Sequence, residues 1–311
     1  MLYFLLQRVG FLAFFVDLFL ERVSMSQQRS ALWVLHGTVL LMGATGLFSQ
    51  WIQLPAWDIT AYRTWVAVFA LFGWVFWRER SIAMAQTKDY AKLALLGLLL
   101  GAHWITYFHA MQVAGIAVGM ISLYTYPVIT VFLEPWIKGT RVDWLDVASA
   151  CLVLLGIYFL VPEFTLSNTT TQGVVWGVLS AFLFALRNVL QGHWFSGVSA
   201  ARTMGYQVLL IAVLMTPWLW VTAAQPSTTD GLLLILLGLG FTALTHTLFA
   251  HTLRYLKAKT VSLVACIQPV YGTVYGALVL AAIPTLGTVI GGIIIVLAAV
   301  YESVREHQRT S

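Results

Sequence analysis

Charge is what this chain has least of. Only 9% of its 311 residues are charged and 60% are hydrophobic, whereas a soluble domain carries about 25% charged residues. That balance excludes an ordinary soluble globular domain. Cysteine is scarce too: Cys151 and Cys266 are the two present, both inside apolar runs. They supply no disulfide framework and no CxxC metal motif. The sequence contains no HExxH, no GxSxG, no P-loop and no paired acids at one depth of an apolar run, so intramembrane hydrolysis and ATP drive have no motif to rest on. No cofactor is expected.

Long apolar runs are what the chain does have. A membrane span needs about 20 apolar residues. Ten stretches qualify: 31–53, 57–77, 91–113, 116–137, 143–162, 172–195, 202–222, 231–253, 259–281 and 284–303. With alternating crossings, Arg29, Arg78, Arg80, Lys88, Lys92, Lys138, Arg141, Arg202, Arg254, Lys257, Lys259, Arg305 and Arg309 fall on one side. The opposite loops, 54–56, 114–115, 163–171, 223–230 and 282–283, contain no Lys or Arg. This positive-inside pattern predicts cytoplasmic termini, with 304–311 as a cytoplasmic tail. It also explains the net charge of +5 without a nucleic-acid partner. The lipid bilayer is the expected surrounding.

Residues 1–30 stand apart. Arg8 and Asp17 interrupt an apolar stretch, and Met25 opens MSQQRSALW, which reads as a cytoplasmic start. A start-site extension, an interfacial amphipathic helix and an eleventh span compete. The expectation is an extension or a peripheral segment, because a span would put Arg8 and Asp17 in lipid.

The chain repeats itself. Pro127 and Pro269 differ by 142, as do His109 and His251. Trp33 and Trp176 differ by 143. Tyr62/Tyr206 and Trp74/Trp218 differ by 144. The order is kept through four spans of each half, 31–162 and 172–303. Five spans per half is an odd number, so the second half enters inverted, which places a solute site near the midplane between halves. The fold class predicted is all-α and polytopic, with ten transmembrane helices in two inverted five-helix repeats.

The runs AMQVAGIAVGMISLYTYPVITVF and LRYLKAKTVSLVACIQPVYGTVYGALVL, together with ITAYRTWVAVFAL and PTLGTVIGGIIIVLAAVY, resemble EamA-type transporters of the drug/metabolite transporter superfamily over residues 31–303. The resemblance implies a secondary transporter with a central cavity, in a superfamily where many members export amino acids or other small metabolites. It also matches Arg63 to an arginine often found in the second helix. The chain departs from the family where relatives place a Gly-Glu pair after the fourth and ninth helices: Gly139-Thr140 and Ala281-Ala282 stand there instead. Gln268 stands where relatives often have Glu.

Several residues are candidates for solute handling. Pro127 and Pro269 deprive Leu123 and Ala265 of their usual i+4 donor, and such breaks belong against protein or a wet cavity. They are the hinge candidates; a passive kink is the alternative. Tyr124, Tyr126, Trp104, Tyr107 and Tyr271 are candidate cavity-wall aromatics; packed core is the bland reading. Trp104, Tyr107 and Phe108 share one helix face. His103 and His246 occupy equivalent spans near mid-depth, as buried hydrogen-bonded residues or as proton carriers. Arg187 and Gln191 share a face and could hold a carboxylate or phosphate; Gln268 completes the cavity set. Arg63 could snorkel outward or pair internally. Glu134 is a further coupling candidate, or a surface partner of Lys138. No cluster predicts a metal. Gly97/Gly101, Gly115/Gly119, Gly173/Gly177, Gly272/Gly276 and Gly287/Gly291 are small-xxx-small pairs that predict close helix packing, within the bundle or across a homodimer.

The leading expectation is a multi-pass protein of the bacterial inner (cell) membrane that moves small organic solutes, as an exporter of amino acids or related metabolites. An organic-phosphate or nucleotide-sugar exchanger is the alternative within transport, and a non-transporting scaffold or receptor the alternative outside it.

Overall fold

The computed structural model describes residues 27–139, 141–163, 165–195, 197–222, 225–252, 255–256, 261 and 264–310. The expected 1–24 segment and the basic Arg254, Lys257 and Lys259 lie outside these residues. The described chain is all-helical. The first half holds α1 (Gln27–Trp51), α2 (Ala56–Glu79), α3 (Thr87–Ala114), α4 (Ile116–Leu123), α5 (Tyr126–Lys138) and α6 (Trp144–Leu160). The second holds α7 (Thr169–Phe195), α8 (Ala200–Thr222), α9 (Thr228–Gly238), a π-helical stretch (Leu239–Leu244), α10 (Thr245–Thr252), α11 (Gln268–Leu280) and α12 (Leu286–Thr310).

Seven helical stretches among the described residues are long and apolar enough to cross a membrane: Ser30–Trp51, Ala56–Glu79, Thr87–Ala114, Ile116–Ile137, Thr169–Phe195, Ala200–Thr222 and Thr228–Phe249. They correspond to expected spans one to four and six to eight. Trp144–Leu160 and Leu286–Tyr301 are apolar but shorter, and α11 begins only at Gln268. Helix α12 runs on to Thr310, so the expected tail begins as a continuation of the last helix. The outer surface is apolar: Trp220 is 81% exposed, Leu278 80% and Phe69 72%. An apolar exterior of this extent is what lipid solvates. Inside the helices, hydroxyls of Thr38, Thr60, Ser122, Thr216 and Thr247 donate to the carbonyl four residues back. That local bond lets a polar side chain sit in an apolar segment without an orphan donor.

The two halves repeat each other in backbone detail. Residues 116–137 are not one kinked helix, as the sequence suggests, but two helices separated at Tyr124–Thr125. There Thr125 N–H bonds Ser122 C=O at 3.3 Å; 142 residues on, Ile267 N–H bonds Val264 C=O at 3.1 Å. Pro127 and Pro269 are then second residues of α5 and α11, where no carbonyl of the same helix lies four residues back. Both helices end on a left-handed cap, Gly139 (φ 70°) and Ala281 (φ 54°). Packing partners repeat as well: α11 lies on α1 as α5 lies on α7, while α2 pairs with α8 and α6 with α12 across the halves.

Small residues permit these crossings. Gly173 and Gly177 of α7 abut Ala114 and Ser122. Gly97 and Gly101 of α3 abut Leu210 and Ile211 of α8, and Gly156 of α6 faces Gly291 of α12. The small-xxx-small pairs are thus used between helices of one chain. A polar clamp at the ends of α2 and α8 adds to them: Arg202 pairs with Glu79, and Ser199 Oγ donates to Glu79 at 2.5 Å.

Candidate functional site

Proline at position 269 leaves the Ala265 carbonyl without its helical donor. Tyr124, from the equivalent break in the first half, supplies one. Its hydroxyl donates to Ala265 O at 2.5 Å, with Gln268 Oε1 2.9 Å from the same hydroxyl. The Gln268 amide N–H reaches Met42 O on α1 at 3.3 Å. Tyr124 is 2% exposed. The two breaks are therefore tied to each other by a side chain of one and a carbonyl of the other.

From Tyr124 a column of rings runs through the interior. Tyr124 meets Tyr126 edge-on at 5.6 Å, and Tyr126 meets Phe184 at 5.0 Å. Phe184 stacks on His103 at 4.6 Å, and His103 lies parallel to Tyr107 at 5.9 Å. Beyond Phe108, 6.1 Å from Tyr107, stands the guanidinium of Arg63. Its central carbon is 4.5 Å from the Phe108 ring centre and 4.2 Å from that of Trp104, a cation–π arrangement. His246 closes the column 6.1 Å from Trp104. Offset and edge-to-face contacts of this kind hold rings in fixed orientations.

His103 is anchored at both ends. Ser180 Oγ donates to the His103 carbonyl at 3.0 Å, so its single hydrogen is used. The 2.7 Å contact between His103 Nδ1 and Ser180 Oγ is then donated by the imidazole, with Ser180 O also 3.1 Å from Nδ1. Nδ1 thereby carries a proton, since both Ser180 oxygens accept from it.

Arg187 and Gln191 share a face as expected but meet through a third residue. Arg187 Nε donates to Gln207 Oε1 at 2.9 Å, and Gln207 Nε2 donates to Gln191 Oε1 at 2.9 Å. Arg187 Nη1 reaches Asn188 Oδ1 at 2.9 Å, and Gln191 Nε2 reaches Thr203 Oγ1 at 3.1 Å. The arginine is thus held between α7 and α8 by amide and hydroxyl oxygens. Arg187 Nη2 also lies 3.8 Å from Met204 Sδ, and Met204 packs with Trp104, the ring that Arg63 and His246 both meet, so the arginine borders the column.

Arg63 does not snorkel. It is 2% exposed, and its Nε and Nη2 have no hydrogen-bond partner; nor does the buried Tyr107 hydroxyl. The interior thus gathers Tyr124, Tyr126, His103, Tyr107, Trp104 and His246 into one column. Tyr271 lies elsewhere, packed with Leu35 and Val39 on α1, and Gln191 belongs to the α7–α8 network. Glu134 is a partly buried residue of α5, seven positions past Pro127. Arg63 and Phe184 were not among the expected cavity residues. A signal for Arg63 exists: Ile59, Arg63, Ala67, Leu71 and Val75 recur every fourth position, and all five are buried. A stripe of that spacing faces protein. No group of three or more His, Cys, Asp or Glu among the described residues could hold a metal ion.

A helical, duplicated membrane protein with a polar aromatic column between its halves belongs to the class of solute carriers built from repeats. The chain is a member of the EamA-like transporter family, whose model matches it twice, at 29–161 and 171–302. Among its relatives is the uncharacterized transporter YxxF of Bacillus subtilis (strain 168), 22% identical over 253 residues, covering 79% of this chain and 81% of that one. The pseudopaline exporter CntI of Pseudomonas aeruginosa (strain UCBPP-PA14) is 23% identical over 250 residues, 79% of this chain and 86% of that protein. A solved crystal structure shares the fold with a TM-score of 0.65 at 19% identity, over 91% of this chain and 99% of that one.

Proposed function

We propose that this transporter exports small organic metabolites, amino acids or related solutes, by alternating access along the interface of its two halves. Ten crossings in inverted repeats, both termini cytoplasmic, in a bacterial inner membrane, complete the reading. The observation that carries it is the interior column from Tyr124 to His246, with Arg63's free guanidinium edge within it. A protein needing only stability fills its interior with satisfied or apolar groups. The relative named as an exporter supports the outward direction. A scaffold would have no use for an unsatisfied cation at its centre. The column is built of rings and bases without a pair of acids, which argues against hydrolysis as well.

Purified protein in proteoliposomes, given labelled amino acids, phosphorylated sugars and cationic dyes, tests the proposal. Saturable movement of an amino acid or related metabolite above protein-free vesicles is expected, and a pH gradient then reveals proton coupling. Preferred exchange of phosphorylated solutes would replace this reading with the organic-phosphate exchanger, which the two arginines of the column's neighbourhood, Arg63 and Arg187, also suit.

A further inference from the structure

We infer that the Nε–Nη2 edge of Arg63, with the Tyr107 hydroxyl beside it, is the seat of a carboxylate carried by the transported solute. Three buried polar atoms in this neighbourhood lack a partner: Arg63 Nε, Arg63 Nη2 and Tyr107 Oη. Native interiors rarely leave such groups unpaired, and an instance calls for a cause. The two arginine nitrogens are not a random pair. They share one edge of the planar guanidinium, the edge that meets both oxygens of a carboxylate in a fork. Trp104 and Phe108 occupy ring-contact positions against the same guanidinium, stabilising the cation while leaving that edge unpaired. The Tyr107 hydroxyl, on the same helix as Trp104 and Phe108, is a third unpaired donor.

A second observation points to the same place. The chain across α9 and α10 loses its regular α geometry at Leu239–Leu244, where Thr242 Oγ1 bonds Leu237 O five residues back, at 3.0 Å. The residue just before this stretch, Gly238, lies against Val66 and the Arg63 backbone; a Cβ there would stand 2.8 Å from Arg63 O. π-helical insertions concentrate at functional sites. This one begins beside the arginine and leads to His246. Arg187 borders the same cluster through Met204, which packs with Trp104, so the surrounding potential favours an anion. At 2% exposure Arg63 is closed over, so the carboxylate enters when the halves part.

The inference rests on the transport reading for the word solute, and the test separates the two. Detergent-purified protein is melted with matched acid and amide probes: L-leucine and L-leucinamide, benzoate and benzamide, succinate and succinamide. At least one acid raises Tm, by roughly 5 °C at one hundred times its Kd, and its amide does not. Arg63→Gln abolishes that shift, Arg63→Lys keeps part of it, and Tyr107→Phe weakens binding severalfold. A ligand-independent measurement accompanies this. Ligand-free Arg63→Met melts at or above wild type, because it removes an unpaired buried cation. Acid and amide shifts of equal size, no acid-selective shift, or a fall of several degrees for Arg63→Met would overturn the site. Acid-selective stabilisation without flux in proteoliposomes removes the transport reading and leaves the site; flux without acid-selective stabilisation does the reverse.

Discussion

Tyr124 has one hydroxyl hydrogen, and it goes to the carbonyl that Pro269 leaves bare. Tyr124→Phe therefore strands a buried acceptor, at a cost of about 1–3 kcal/mol. Thermal unfolding of Tyr124→Phe beside wild type should show that loss as a lowered Tm. The cap at residue 281 offers a gain instead. Its first-half counterpart is Gly139, but Ala281 adopts the left-handed conformation with a Cβ present. Ala281→Gly should stabilise by about 1 kcal/mol, read as a raised Tm. At this scale the sequence was partly legible. Tyr124, Tyr126 and Trp104 were visible as aromatics beside prolines or on one stripe, where polarity is costly. The bond from Tyr124 to a carbonyl 141 residues away depends on how the halves dock, and no local pattern encodes that. Arg63 looked free to snorkel because it lies near a helix end; only the burial of its whole stripe decides otherwise.

Helices α4 and α5 form a broken span because Pro127 cannot donate and Tyr124–Thr125 complete the last turn with a tighter bond. Alanine in place of either proline would let the broken span run through as one helix. Pro269→Ala would also offer Ala265 a backbone donor in competition with Tyr124. Pro127→Ala and Pro269→Ala should each slow transport per folded molecule severalfold while leaving the yield of folded protein nearly unchanged, as counted by quantitative proteoliposome flux. Equal flux would make the breaks passive. Helix crossings behave oppositely. Gly291 approaches the Gly156 backbone too closely for any side chain, so Gly291→Leu should reduce folded yield sharply, through overpacking. The apolar runs made the positions of the long helices readable, and proline marked the breaks. The π-helical stretch was not readable, since LGFTAL carries no proline and its single glycine is common within membrane helices; the stretch packs on α2.

Two matching halves are tied by Tyr124 to Ala265 at the breaks and by Arg202 to Glu79 at the ends of α2 and α8. The apolar exterior suits a bilayer. The duplication was legible from residue spacing alone, because a fixed offset survives wherever both halves keep the same break and cap. What the interior recognises was not legible, because the column draws on α2, α3, α7 and the segment around His246 together. The most direct measurement of the central claim is solute counterflow in proteoliposomes holding wild-type protein, with Arg63→Gln as the matched control. The account predicts saturable, protein-dependent counterflow of a small carboxylate-bearing solute that Arg63→Gln reduces at least tenfold at equal folded protein. Flux no greater than that of protein-free vesicles across the whole amino-acid panel would contradict it.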